Sequence, residues 1–169
     1  MKKLFPKPYS LNPRQGYILI ESIIAITIVV VGLLGIFSLL SRSLSLNRVV
    51  ADRFVAAYLA AEGIELVKNV IDNNILAARP WNAGLTGGNY EMDFRSEKLE
   101  ADQHRVLKLS PISGAYGYGE SDATRFTRTI HLAIAPDGNK ITVRSRVNWL
   151  TRGGGTFDIN LEEQLFNWR

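Results

Sequence analysis

Glu21 has the clearest chemical meaning, because it is the only charged residue in the apolar segment formed by residues 17–40. An ionised side chain within a membrane-spanning helix is costly unless it has a partner, and such a residue commonly serves a function. Nothing else in the segment can supply that partner. Glu21 is therefore expected to need a partner from outside the segment.

Residue types that support catalysis or metal binding are sparse elsewhere. The sequence has no cysteine, and its two histidines, His104 and His131, are well separated. Ser22 and Thr27 can return their hydroxyl hydrogen bonds to the helix backbone. Residues 114–119, rich in glycine and tyrosine, lack the strand-to-helix context of a phosphate-binding loop and are expected to form a flexible surface loop. We therefore expect neither enzymatic activity nor a cofactor.

The apolar segment is long enough to cross a membrane. A helix rises about 1.5 Å per residue, so 24 residues exceed a hydrocarbon core of roughly 30 Å. The first sixteen residues carry four basic residues and no acidic one. This bias places the leader in the cytoplasm and the rest of the chain outside. The four basic residues are Lys2, Lys3, Lys7 and Arg14.

The leader also accounts for the net charge of +4, because the rest of the chain holds 16 basic and 16 acidic residues. A basic face for nucleic acid is therefore not expected, and nucleic acid is not a predicted partner.

Two simple interpretations of the segment leave something unexplained. A secretory signal peptide has an apolar stretch of roughly 7–15 residues before a small-residue cleavage site, whereas this stretch is longer and Arg42 interrupts the residues after it. A plain membrane anchor fits the length. It does not explain an acid near the start of the span.

The junction at residues 14–21 reads RQGYILIE, and it resembles the prepilin signal of the type IV pilin family. The resemblance implies that a membrane peptidase cuts after Gly16 on the cytoplasmic side. Tyr17 then becomes the N-terminal residue and is N-methylated, and Glu21 is the fifth residue of the mature chain. Tyr17 replaces the more usual phenylalanine or methionine but keeps an aromatic ring.

The same resemblance implies the partners and the location. The cation for Glu21 would be the terminal ammonium that cleavage creates on a neighbouring subunit. Other pilin or pseudopilin subunits, prepilin peptidase, membrane lipid before assembly and an inner-membrane assembly platform are the expected partners. The chain would begin in the cytoplasmic membrane with its N-terminus inside, and end in an extracytoplasmic filament or at the cell surface.

Helical periodicity continues beyond the apolar segment, and it predicts a helix from Tyr17 to Leu76. Its second half carries an apolar stripe that is expected to face a domain of the same chain. Gly32, Gly35 and Gly63 interrupt the helix, and they indicate either close helix packing or local melting. The stripe consists of Val50, Phe54, Ala57, Ala61, Ile64, Val67, Ile71 and Ile75.

Strand patterns replace helical ones from about Gly84. The clearest pair is residues 126–135 with residues 140–150, joined by a turn that contains Asp137 and Gly138. Residues 90–94, 106–109 and 156–166 are further strands, whereas the charged residues 96–105 are expected to form a loop. The predicted sheet is antiparallel and has four or five strands.

The sequence thus predicts an α+β protein in which a long N-terminal helix, transmembrane in its first half and amphipathic in its second, packs on a small antiparallel sheet. The expected divisions are a leader (1–16), a transmembrane helix (17–40), its amphipathic continuation (41–79) and a β domain (80–169). This layout is similar to the pilin and pseudopilin fold.

Three functional hypotheses follow. The first is a structural subunit of a type IV pilus or related filament, closer to minor than to abundant pilins. The second is a pseudopilin of a type II secretion or DNA-uptake machine, which would be absent from sheared surface filaments. The third is a single-pass membrane-anchored β domain that never polymerises.

Overall fold

A computed structural model describes residues 13–119, 122–151 and 154–167, with the backbone alone for residues 13–16. Lys2, Lys3 and Lys7 of the predicted leader lie outside these residues. The chain divides into two compact units, Met1–Arg48 and Val49–Arg169, and each is described by itself. The divisions predicted after residues 16, 40 and 79 stay predictions.

A single helix, α1 (Pro13–Leu76, 64 residues), begins four residues before the predicted Tyr17 and ends at the predicted residue. Proline suits the first turn of a helix, because its missing N–H would have no intrahelical acceptor there and its φ angle is already helical. The bond between Gly16 and Tyr17 therefore lies inside the helix rather than before it.

The C-terminal end of α1 is closed by local hydrogen bonds. Ala78 adopts a positive φ of 54°, and the Arg79 N–H donates to the Asn74 carbonyl over 2.8 Å. This arrangement is a Schellman motif, which satisfies a carbonyl that the last turn would leave open. Pro80 follows and cannot continue the helix.

In the first unit, every residue from Tyr17 to Arg48 is exposed. The described residues include one helix that is long and apolar enough to cross a membrane, and this is its apolar part. An apolar surface exposed on all sides requires a lipid or protein environment. The chain is therefore compatible with a single membrane anchor.

The second unit contains a sheet of seven strands, all paired antiparallel. Two strands more than expected are present, and both are only two residues long. The strands are β1 (Gly88–Glu91), β2 (Glu100–Ala101), β3 (Val106–Leu109), β4 (Tyr116–Gly117), β5 (Asp122–Ile134), β6 (Lys140–Leu150) and β7 (Thr156–Phe166).

The central strand is β5, which pairs with β6 along one edge and with β1 and β3 along the other. β2 extends the sheet beside β1, β4 beside β3, and β7 beside β6. The predicted alternation is confirmed, because β5 and β6 bury one face of the sheet. The buried residues of that face include Ile130, Leu132, Ile141, Val143, Val147 and Trp149.

Two segments predicted as loops contain the short strands. β2 lies in the charged residues 96–105, and β4 lies in residues 114–119. Conversely, Phe94 was predicted to continue a strand but lies in a turn, exposed to 49%. The turn forms because the Asp93 carboxylate accepts hydrogen bonds from the Arg95 N–H and the Ser96 hydroxyl.

Only part of the predicted apolar stripe of α1 faces the sheet. Ile64, Val67 and Ile71 are buried as expected, whereas Val50 and Phe54 are exposed to 49% and 63%. The face that meets the sheet is rotated by about a quarter turn from the predicted one. It includes small residues that allow the helix backbone to approach closely, and these are Ala56, Ala60 and Gly63.

Gly63 lies at the closest approach between α1 and the sheet. A Cβ atom at this position would overlap the Ser145 hydroxyl and would lie 3.1 Å from both Arg128 Cδ and Ser145 Cβ. A Cβ at Gly32 or Gly35 would meet no atom within 4 Å in the described chain. Close packing is thus the role of Gly63, and the roles of Gly32 and Gly35 stay open.

Arg128 connects the sheet to the helix beside this contact. Its side chain is fully buried on the apolar face of β5. One guanidinium nitrogen donates to the Leu59 carbonyl (3.0 Å) and to the Glu62 carboxylate (2.9 Å), and the other donates to the Met92 carbonyl. A buried cation requires such partners. These bonds therefore fix the position of α1 along the sheet.

Candidate assembly site

The predicted site residues lie on one face of α1. Tyr17 and Glu21 are four residues apart, which places them one turn apart on the same side of the helix. Both are exposed, Tyr17 to 75%. Neighbouring apolar residues are equally open, including Ile18 at 61% and Ile24 at 54%. The acid therefore stands on an apolar surface that no other described residue of its unit covers.

Glu21 differs from the other polar residues near it. The Ser22 hydroxyl donates to the Ile18 carbonyl (2.8 Å) and the Thr27 hydroxyl to the Ile23 carbonyl (2.7 Å), so both are satisfied by the helix. Glu21 has no hydrogen-bond or ion-pair partner in the part of the chain that the structure describes. Because an acid on an apolar surface needs a partner once water is removed, the partner must come from elsewhere.

Gly16 belongs to α1, and the structure describes its backbone alone. In the intact chain the Tyr17 nitrogen is an amide and carries no charge. Cleavage after Gly16 would convert it into an ammonium, one helical turn from Glu21 of the same chain. Residues 17–40 contain no basic side chain, so this segment could supply both members of an ion pair only after that cleavage.

The two histidines lie in the second unit and do not converge on a site. His104 is exposed near Asp102 (3.2 Å), and His131 on β5 contacts the Asn89 amide oxygen (2.8 Å). No group of three or more histidine, aspartate or glutamate side chains in the described ranges could hold a metal ion.

A buried acid in β1 orders part of the segment 96–105, which the sequence predicted to be a loop. Glu91 is fully buried and accepts hydrogen bonds from the N–H groups of Gln103 (3.1 Å) and Arg105 (2.7 Å) and from the Arg105 guanidinium. The same guanidinium lies 4.5 Å from the centre of the Tyr118 ring. The position of Glu91 in the sequence gives no sign that it is buried, because isolated acids in a strand are usually exposed.

Asp93 holds the neighbouring segment in a similar way. Its carboxylate accepts hydrogen bonds from the N–H groups of Tyr118 (2.9 Å) and Arg95 (3.0 Å) and from the Ser96 hydroxyl (2.8 Å). Burial alone raises the pKa of Asp93, but these hydrogen bonds outweigh it and lower the pKa below its usual value. Asp93 therefore joins the turn after β1 to the residue after β4.

The lowered pKa of Asp93 predicts a loss of stability in acid. A depressed carboxyl pKa contributes stability that is complete above about pH 4 and is lost as the pH falls through the folded-state value. We expect Asp93→Asn to lower stability at neutral pH by about 1–2 kcal/mol and to weaken the acid dependence. Thermal unfolding followed from pH 2 to pH 7 measures both effects.

The matched control for this prediction is Glu97→Gln, which removes an exposed carboxylate from the same loop. It should leave both the neutral stability and the acid dependence unchanged. An Asp93→Asn chain with the same unfolding midpoint as the unmodified chain at every pH would show that the carboxylate does not anchor this segment.

Comparisons of the chain with protein-family models, with curated proteins and with solved structures found no match. The assignment of Gly16, Tyr17 and Glu21 to one site therefore depends on their order along the chain and on their positions in α1.

Proposed function

We propose that this chain is a prepilin-like structural subunit. It is inserted in the cytoplasmic membrane by the apolar part of α1, cut after Gly16 by a prepilin peptidase, and assembled through its N-terminal helix into a type IV pilus or related filament. The observation that carries the proposal is Glu21, an acid that has no partner among the described residues and lies on an exposed apolar stretch of α1, five residues after Gly16.

Electrostatics gives this arrangement a use in assembly. An unpaired carboxylate in an apolar environment is unfavourable, and an opposite charge attracts it far more strongly there than in water. Cleavage and N-methylation leave a cation at Tyr17. Docking of a subunit so that its Glu21 meets the Tyr17 ammonium of a neighbour removes the penalty. A subunit displaced along the helix axis keeps the penalty, so the pair selects one register.

The fold supports the proposal without identifying the filament. One long helix, exposed and apolar in the first unit, continues into an α+β unit whose sheet is antiparallel. This is the architecture that the resemblance implies. In the second unit, the buried Glu91 and Arg128 each form an ion pair with a residue of the same unit.

N-terminal sequencing of the protein purified from membranes tests the proposed processing. The expected mature chain begins at N-methylated Tyr17, whereas Gly16→Leu should retain the leader and begin at Met1. Gln15→Leu is the matched control, since it changes the adjacent residue and should be cut normally. A wild-type chain that begins at Met1, or after residue 40, contradicts the proposal.

A further inference from the structure

The last strand, β7, forms an open edge of the sheet. It pairs with β6 over eleven consecutive residue pairs, from Leu150 with Thr156 to Lys140 with Phe166, without a bulge. Among the described strands, none lies on its other side. An edge of this length presents a row of backbone groups that can bind another strand.

Hydrogen bonds at the two ends of the β6–β7 pair show which residues point outward. The Thr151 N–H donates to the Gly155 carbonyl (2.9 Å), and the Asn167 N–H donates to the Asn139 carbonyl (3.0 Å). Hydrogen-bonded residue pairs alternate with non-hydrogen-bonded pairs along two antiparallel strands, so the odd-numbered residues of β7 form hydrogen bonds with β6. The even-numbered residues direct their N–H and C=O groups to the open edge, and these include Asp158, Asn160, Glu162 and Gln164.

β7 lacks several of the usual protections of an edge strand. Its eleven residues include no lysine, no proline and no bulge. Glu163 does point toward the core face, as protective charges do. Its charge is offset by Lys68, whose ammonium lies 2.7 Å from its carboxylate. None of these features therefore prevents another strand from pairing with the backbone of β7.

The core face of β7 is incompletely covered. Phe157, Ile159, Leu161 and Leu165 are only half-buried, although the residues opposite them on β6 are buried. Near the end of β7, a groove of about 400 Å³ opens between the strand and α1. Its apolar lining residues include Ile71, Ile75, Trp81 and Leu165. A further strand with apolar residues on this side would complete the cover.

Charge on the opposite face indicates the rest of the partner's chemistry. All three charged residues of β7 are acidic, and Asp158 and Glu162 lie on the solvent face. Their arginine partners, Arg146 and Arg144, belong to β6 and so stand one strand farther from the open edge. The Arg144 hydrogen bond lowers the pKa of Glu162, which keeps this acid ionised. A strand added at the open edge would therefore lie next to Asp158 and Glu162 rather than next to the arginines.

We infer that β7 is a strand-addition site for an extended segment of a partner polypeptide. The segment pairs with residues 158–164, places apolar side chains over the half-buried core face of β7 and over the groove beside α1, and places basic side chains opposite the acids. The site lies in the second unit and uses none of residues 16–21, so binding here does not require cleavage after Gly16.

The test measures binding of a fluorescent peptide of alternating lysine and valine to the full chain in detergent. The decisive pair of variants is Asn160→Pro and Asn160→Ala, because only proline removes the outward N–H while the inward bonds to β6 remain. Asn160→Ala should bind like the unmodified chain, and Asn160→Pro should bind at least about tenfold more weakly. Absence of peptide binding, or equal binding by the two variants, overturns the inference.

A second arm stands even if Asn160→Pro does not fold. Methylation of the lysine backbone nitrogens of the peptide should abolish its binding to the unmodified chain, and glutamate in place of lysine should weaken binding by about tenfold. Undiminished binding of the methylated peptide overturns the inference. So does sedimentation showing a dimer that Asn160→Pro disrupts, since the edge would then serve a second copy of this chain.

Discussion

Glu21→Ala is expected to abolish incorporation of the chain into filaments while its insertion into the membrane survives or improves. A carboxylate at the centre of a membrane helix costs roughly 3 kcal/mol, and Glu21, near the start of the span, bears part of that cost, so its removal favours insertion. Without Glu21, residues 17–40 carry no charged side chain. A subunit docked out of register then has no unpaired carboxylate in an apolar environment, so the correct register is no longer favoured. Membrane fractionation measures insertion, and shearing or crosslinking of cell-envelope material measures assembly.

Ser22→Ala supplies the matched control, because it changes the adjacent polar residue, whose hydroxyl already bonds to the Ile18 carbonyl. It should leave both insertion and assembly intact. Glu21→Gln keeps the shape of the side chain without its charge and should fail as Glu21→Ala does. If Glu21→Ala and Glu21→Gln retain full function, the chain is better described as a simple membrane-anchored β domain.

Gly63→Ala is expected to destabilise the second unit by about 1–3 kcal/mol, although the same change in an open helix stabilises by up to about 1 kcal/mol. The added methyl group would overlap the Ser145 hydroxyl and crowd Arg128 Cδ at 3.1 Å. The helix must then move from the sheet and strain the bonds from Arg128 to Leu59 and Glu62. Denaturant unfolding followed by tryptophan fluorescence measures the change.

A double-mutant cycle with Ser145→Ala tests the reason for that loss. The buried Ser145 hydroxyl has no hydrogen-bond partner among the described residues, so its removal alone should cost little. In the Ser145→Ala background, Gly63→Ala should be less destabilising, because one of the overlapping atoms is gone. Gly32→Ala, at a glycine with open space around it, should leave unfolding of the second unit unchanged. A stabilising Gly63→Ala would contradict the packing argument.

The sequence was most informative where one periodicity persisted over many residues. The helix end at Leu76, the bounds of β3, β6 and β7 and the buried faces of β5 and β6 followed from alternation and turn residues. The rotation of α1 on the sheet did not follow. Large apolar residues such as Val50 and Phe54 suggested one face, whereas small residues selected another by permitting a shorter distance between backbones.

Buried charges were the other feature that pattern reading left out. Arg128 occupies the apolar face of β5 between Phe126 and Ile130, and that position in the alternation was an available sign of its burial. Glu91 gave no comparable sign, because its partners Gln103 and Arg105 come from a loop whose path no periodicity describes. Gly16, Tyr17 and Glu21 were identified by a sequence motif rather than by periodicity, and their roles stay predictions.

The bond between Arg128 and Leu59, which are 69 residues apart in sequence, has a consequence for the order of folding. Because synthesis proceeds from the N-terminus, the helix face around Ala60 is complete long before its cover exists. Closing so long a loop is slow compared with forming a helix, so the face stays uncovered until β5 and β6 reach it. Until then this face is an uncovered apolar surface, and the incompletely folded chain is prone to aggregate.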